Sequence, residues 1–334
     1  MNNKERFVRL LNGDRNIDRT PIIEWASWWS ETCEAWFAQG LPRVDYANGQ
    51  LNDYWGHDKL KQFWLPIRDS DCPQPKFHGG PIIEDENDYA VVRKHLYTDE
   101  LLDGIDAMLK KWVSAHGDED IAYWFSMDGY FWFPRTLFGI EGHLYAFYDY
   151  PELMLEINHD LTTYHKKCLD VIYNYIDPCF MTIAEDMSYN LGPMLSKDLY
   201  DEFMLPFYKE LVPCIKKRGT KVLIDTDGQV EPLIPWFLSG GIEGILPLER
   251  MAGVDVNRIR EKYPELIMIG GFDKMRMHLG EAAMRKEFDR LLPAIRSGRY
   301  IPSVDHQTPP DVSIENYGIF MRLLREYATQ IGGH

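Results

Sequence analysis

Five short apolar runs in the second half of the chain each stop at an acid or a histidine: CFMTIAED, KVLIDTDG, IEGILPLE, LIMIGGFD and RYIPSVDH. Apolar, β-branched runs without alternation are the strands of a parallel sheet whose two faces are both covered. Between them lie amphipathic stretches with helix start and stop signals. Ser196 precedes KDLYDEFMLPFYKELV, Gly219 follows a basic turn, and Ser313 precedes a stripe of Tyr317, Phe320, Met321 and Leu324. Parallel strands need crossovers of this kind, so the pattern constrains the chain to a βα repeat. Extending it backwards adds PIIEW, IAYWFSMD and strands near residues 65 and 82. About eight units fit the length. The expected fold is a (β/α)8 TIM barrel formed as a single domain over residues 1–334, with a doubly wound sheet as the alternative.

In such a barrel the chemistry is built at the C-terminal ends of the strands. Glu185 and Asp186, Asp225 and Asp227, Glu249, Asp273, and Asp305 with His306 all occupy expected strand ends. One acid there can cap the next helix. Acids from five successive ends would crowd one mouth, raising the pKa of some unless a cation shares the site. Asp227, Glu249 and His306 come from three separate ends, as a catalytic metal with three protein ligands and one open position requires. Asp225 is the alternative or fourth ligand. In the plain alternative, His306 caps a loop or helix and Glu249 pairs with Arg250. Asp186, beside Tyr189, is the candidate general acid or substrate anchor. Glu185 is its alternative, because strand alternation lets only one of the two face the barrel axis.

The segment 123–150 is dense in aromatic residues, most of which belong in a core. Tyr130 and Trp132 follow a strand end and Trp25 and Trp28 follow another, so these four are candidates to bind a flat ring or, as an aromatic box, a methylated ammonium. A net charge of −16 without a basic cluster excludes a nucleic-acid partner. The amphipathic N-terminus does not read as a signal peptide, and no apolar run is long enough to span a bilayer. Five scattered cysteines without paired spacing fit a reduced, cytoplasmic setting.

At these residues the sequence resembles the uroporphyrinogen decarboxylase superfamily, which includes zinc- and corrinoid-dependent methyltransferases. The resemblance is carried by ERFVRLLNGDRNIDRTPII, EDMSYNLGPMLSKDLYDEFMLPFYKELV, DTDGQVEPLIPWFLSGGIEGI, LIMIGGFDK and VDHQTPPDVSIENYGIFMRLLREYA. Two departures are informative. Decarboxylases of this type carry an arginine-rich segment after the first strand, whereas EWASWWSETCEAW has no arginine and would repel a polyanion such as uroporphyrinogen. The thiol methyltransferases use a His-x-Cys pair and a distant Cys to hold zinc, whereas here DTDG takes the place of the pair and His306 that of the Cys.

Carboxylate and imidazole ligands make a harder, more Lewis-acidic site than thiolates do. The resemblance therefore implies a zinc enzyme that removes a methyl from a methoxylated, aromatic compound, or from a methylated amine, and passes it to a cobalt(I) corrinoid. The DxHxxG pattern of a corrinoid-binding domain is absent, so the cobalamin is expected on a partner protein. The resemblance also implies a homodimer. The alternatives are a metal-free decarboxylase of a smaller acid, using Asp186 as proton donor, and a non-catalytic binding module.

Overall fold

The computed structural model describes residues 1–44, 49–116 and 120–333. Seven parallel strands form one curled sheet: β1 (Leu60–Trp64), β2 (Ala122–Asp128), β3 (Phe180–Ala184), β4 (Lys221–Asp225), β5 (Gly244–Leu246), β6 (Ile267–Phe272) and β7 (Tyr300–Val304). Each strand pairs with the next in chain order, with Ala184 opposite Asp225 and Asp225 opposite Leu246. A doubly wound sheet reverses its strand order at a switch point, and this one does not. The order is that of a (β/α)8 barrel.

PIIEW, the expected first strand, lies between β7 and β1 but joins no regular ladder among the described residues. Its contacts run largely through side chains. The Asp58 carboxylate accepts from Ile22 N at 2.9 Å while Asp58 N donates to Ile22 O at 2.8 Å. On the other edge Ser303 Oγ donates to Ile23 O at 3.0 Å, and Trp25 Nε1 donates to Val304 O at 2.7 Å. Pro21 has no N–H to offer, which helps explain why the ladder fails here. The strand expected near residue 82 is not formed: Ile82 N and Ile83 N both donate to Leu137 O, at 2.7 and 3.1 Å, and so serve a helix end instead.

The helix signals hold where side-chain caps were expected. Ser196 Oγ accepts from Leu199 N, and Ser313 Oγ accepts from Asn316 N. The stretch after Ser196 forms two helices, Lys197–Phe203 and Leu205–Lys216, because Pro206 cannot continue the first one. The helix Asn3–Leu11 lays Phe7, Leu10 and Leu11 against Trp124, Phe180 and Leu223. Each such buried side chain is worth about 1.5–3 kcal/mol. This plug closes one end of the barrel, and the strand ends at the other remain for a site.

Candidate functional site

Asp225 is the last ladder residue of β4, and Asp227 follows two positions later on the same side of the chain. Thr226 turns the other way and is buried, its hydroxyl accepting from Met187 N at 3.0 Å. Glu249 reaches the mouth from the loop after β5. That loop folds over β6, where Gly271 N donates to Pro247 O at 2.9 Å. A Cβ on Gly270 would sit 2.1 Å from the same carbonyl oxygen, so only glycine allows this approach. Glu249 Oε2 then accepts from Gly228 N at 2.8 Å. His306 follows β7, where buried Asp305 accepts from Arg250 N at 2.9 Å and from Lys274 N at 3.1 Å, tying three loops together.

These loops bring one ligand atom each from Asp227, Glu249 and His306 within 4.8 Å of one another. His306 Nε2 lies 3.6 Å from Asp227 Oδ2, and the other ring nitrogen, Nδ1, is buried with no hydrogen-bond partner among the described residues. The neighbouring Asp227 carboxylate raises the histidine's pKa against the opposing effect of burial. Burial pushes Asp225 to about 7, helped by the charges of Asp227 and Asp186 and eased by His306. Two carboxylates and an imidazole suit a hard or borderline divalent ion such as zinc, and a cation here would relieve the crowding. The donor set therefore fits a metal.

Glu185 and Asp186 divide their work as alternation requires. Ala184 and Asp186 line the mouth pocket, and Glu185 points the opposite way. Fully buried, Glu185 accepts from the amides of Tyr130 at 2.9 Å, Phe131 at 2.7 Å and Trp132 at 3.2 Å, and from the Tyr208 hydroxyl. It anchors the start of the helix Trp132–Phe138. A Cβ on Gly129 would lie 2.1 Å from its carboxylate. Asp186 adopts a left-handed backbone, φ 43°, and Arg135 Nη1 holds it by donating to its carbonyl at 3.1 Å and its Oδ2 at 3.4 Å. Burial and the charge of Asp227 raise the Asp186 pKa, opposed by Arg135. Asp273 is structural too, capping the turn Lys274–Leu279.

The pocket above the acids measures about 290 Å³, with Trp25, Trp64 and Trp132 as its aromatic walls. Two of the expected ring-binding residues lie elsewhere. Trp28 is 5% exposed and packs against Trp36, His57 and Tyr317. Tyr130 is 1% exposed, with Tyr208 and Phe207 against its ring and Thr162 Oγ1 donating to its hydroxyl. Both are core residues because their strand-end turns direct them into the helical layer. The Tyr189 side chain is exposed, and its contribution near the site is through the backbone, Gln229 N donating to Tyr189 O at 2.9 Å. Sequence reasoning missed Trp64, whose indole N–H donates to Asp128 at 2.9 Å, and Arg135, whose guanidinium lies 5.3 Å from the Trp132 ring centre. It also missed Gln307, which lines the pocket beside His306.

Comparison with known proteins gives three findings. The family described as uroporphyrinogen decarboxylase (URO-D) matches residues 142–327. Among solved structures, a methyltransferase from Methanosarcina mazei superimposes with a TM-score of 0.63 over 98% of this chain and 99% of that one, at 13% identity, a likeness of fold. A B12-independent methionine synthase from a Shewanella species is 8% identical over 69% of this chain and 65% of its own, with a TM-score of 0.39. No curated protein matches the sequence.

Proposed function

We propose a methyl-transfer function from the premise that this chain belongs to the uroporphyrinogen decarboxylase family. The enzyme removes a methyl group from a methoxylated, aromatic small molecule and passes it to a cobalt(I) corrinoid held by a separate protein. Asp227, Glu249 and His306 would hold a zinc ion. The observation that carries this reading is the convergence of their three ligand atoms within 4.8 Å, beneath a pocket walled by tryptophans.

When bound, zinc would act as a Lewis acid on the oxygen or nitrogen that carries the methyl. The chain's own residues supply the rest. Trp25, Trp64 and Trp132 orient a flat ring and exclude water from its faces. Asp225 lines the same pocket beside Asp227 and His306, where its carboxyl can give a proton to the departing oxygen. Asp186, fixed by Arg135, anchors the substrate's polar edge.

Metal analysis by plasma mass spectrometry tests the reading first. About one zinc per chain, lost in Glu249→Ala and His306→Ala, supports it, and methoxylated aromatics are then assayed by the absorbance change of a cobalt(I) corrinoid. A protein that stays metal-free after incubation with zinc overturns the ligand set. One observation favours a second reading, decarboxylation of a small acid: Arg135 sets a cation against the wall residues Trp132 and Asp186, next to where a substrate carboxylate would bind. Turnover of such an acid by metal-free protein would establish that alternative.

A further inference from the structure

The ladder between β3 and β4 ends where Ala184 faces Asp225, yet the two chains stay joined beyond it. Met187 N donates to Thr226 Oγ1 at 3.0 Å, Ser188 Oγ donates to Asp227 O, and Gln229 N donates to Tyr189 O at 2.9 Å. Both hydroxyl residues are buried. Gly228, at φ 81°, lies so close that a Cβ on it would sit 2.7 Å from Tyr189 Cα, an approach only glycine allows. Two of the three joins use a side-chain hydroxyl where a parallel ladder would use main chain. The main chain has left the sheet here, with Asp186 left-handed at φ 43°, and the hydroxyls bridge the gap.

These joined turns carry the site. Asp186 opens one of them, and Asp227 lies within the other. The carbonyl that Ser188 holds and the Gly228 amide belong to a single peptide unit, and that amide donates to Glu249 Oε2 at 2.8 Å. A peptide unit is planar, so a grip on its oxygen also fixes the direction of its N–H. Ser188 thereby sets the backbone from which the Asp227 side chain starts and the donor that orients the Glu249 carboxylate. Thr226, between Asp225 and Asp227, ties the Asp186 turn to the same loop through Met187.

We propose that Ser188 and Thr226 are positioning residues for the carboxylate cluster, holding Asp227 and Glu249 at the spacing that a shared ion needs. Neither hydroxyl belongs to the ligand set itself. The proposal rests on the zinc reading given above. Partners that orient metal ligands in this way are worth about 10- to 100-fold in metal affinity.

The test is zinc affinity by competition with a chelator, measured on the full chain at pH 8. Ser188→Ala and Thr226→Val should each weaken zinc about tenfold or more. Thr226→Ser, which keeps the hydroxyl, should stay within about threefold of the parent. Thr162→Val removes a buried hydroxyl that serves Tyr130 in the core; it should lower the melting temperature and leave zinc affinity unchanged, which separates positioning from lost stability. Unchanged affinity in either Ser188→Ala or Thr226→Val overturns the proposal, as does an equal loss in Thr162→Val. Circular dichroism checks folding, and if Thr226→Val does not fold, Ser188→Ala decides alone. A parent that binds no zinc strikes the ligand set instead, and crystal structures of metal-free parent and Ser188→Ala then decide the positioning role. Asp227 moving away from His306 Nε2 by about 1 Å or more beyond the parent's 3.6 Å supports it, and an unchanged gap overturns it.

Discussion

His306 Nε2 lies 3.6 Å from Asp227 Oδ2, although the two residues follow different strands and are joined by no ladder contact. The distance suits two ligands of one ion better than a direct hydrogen bond. A metal there must displace the proton that Asp227 helps His306 to keep.

Zinc affinity should accordingly fall as pH drops below the raised pKa of His306, and a titration of zinc against a competing chelator between pH 8 and pH 5 measures it. Glu249→Ala or His306→Ala should weaken binding by more than about 100-fold, because each removes a direct ligand where loss of an outer-shell partner already costs 10- to 100-fold. Equal zinc affinity at both ends of the pH range would argue against His306 as a ligand.

Asp225 should destabilise the metal-free protein at high pH. Its pKa is about 7 folded against an ordinary value of 3.8, so below about pH 4 both states hold the proton and the effect vanishes. It grows through the interval and is complete above about pH 7. With solvent screening taken into account, Asp225→Asn should raise the melting temperature of metal-free protein by about 2–4 °C at pH 8 and leave it unchanged near pH 4. Differential scanning calorimetry at both pH values reads the contrast.

Glu185 should behave as a structural group. Replacing it with Gln puts an amide donor against backbone N–H groups, at a cost of about 1–3 kcal/mol, which is a drop of about 2–6 °C in a chain of this size. Gly129→Ala, whose new Cβ meets that carboxylate, should destabilise in the same direction. Zinc content should survive in folded Glu185→Gln protein. Loss of zinc with unchanged melting would reverse the assignment.

Arg135 should matter through Asp186. Arg135→Leu frees the Asp186 carbonyl and carboxylate, and kcat/KM for methyl transfer should fall about tenfold or more while zinc content stays constant. Steady-state kinetics beside metal analysis separates this from damage to the ligand set. An unchanged kcat/KM would remove Arg135 from the site.

The barrel and its three candidate ligands were legible because each ligand follows an apolar strand run, and parallel sheets deliver their strand ends to one mouth. The aromatic walls were harder to read. Trp25 and Trp28 stand three positions apart, and what sends one to the pocket and the other to the core is Ser27, held at φ 58° with nothing in the local sequence to announce it. Trp64 was missed because LKQFW is a weakly apolar strand, and the acid that holds its indole, Asp128, belongs to the neighbouring strand. Glu185 and Asp186 are adjacent acids, and alternation could say that they differ without saying which faced inward.

The seam between β7 and β1, where residues 21–25 lie, has a consequence for how the sequence can drift over time. Main-chain ladders are indifferent to most substitutions, so the joins between the seven strands can survive extensive turnover of residue identity. The closure beside residues 21–25 leans more on side chains, among them the carboxylate of Asp58 and the hydroxyl of Ser303. Those two side chains should tolerate replacement far less than their solvent-facing neighbours, and a deep mutational scan for folding should find them as isolated intolerant positions.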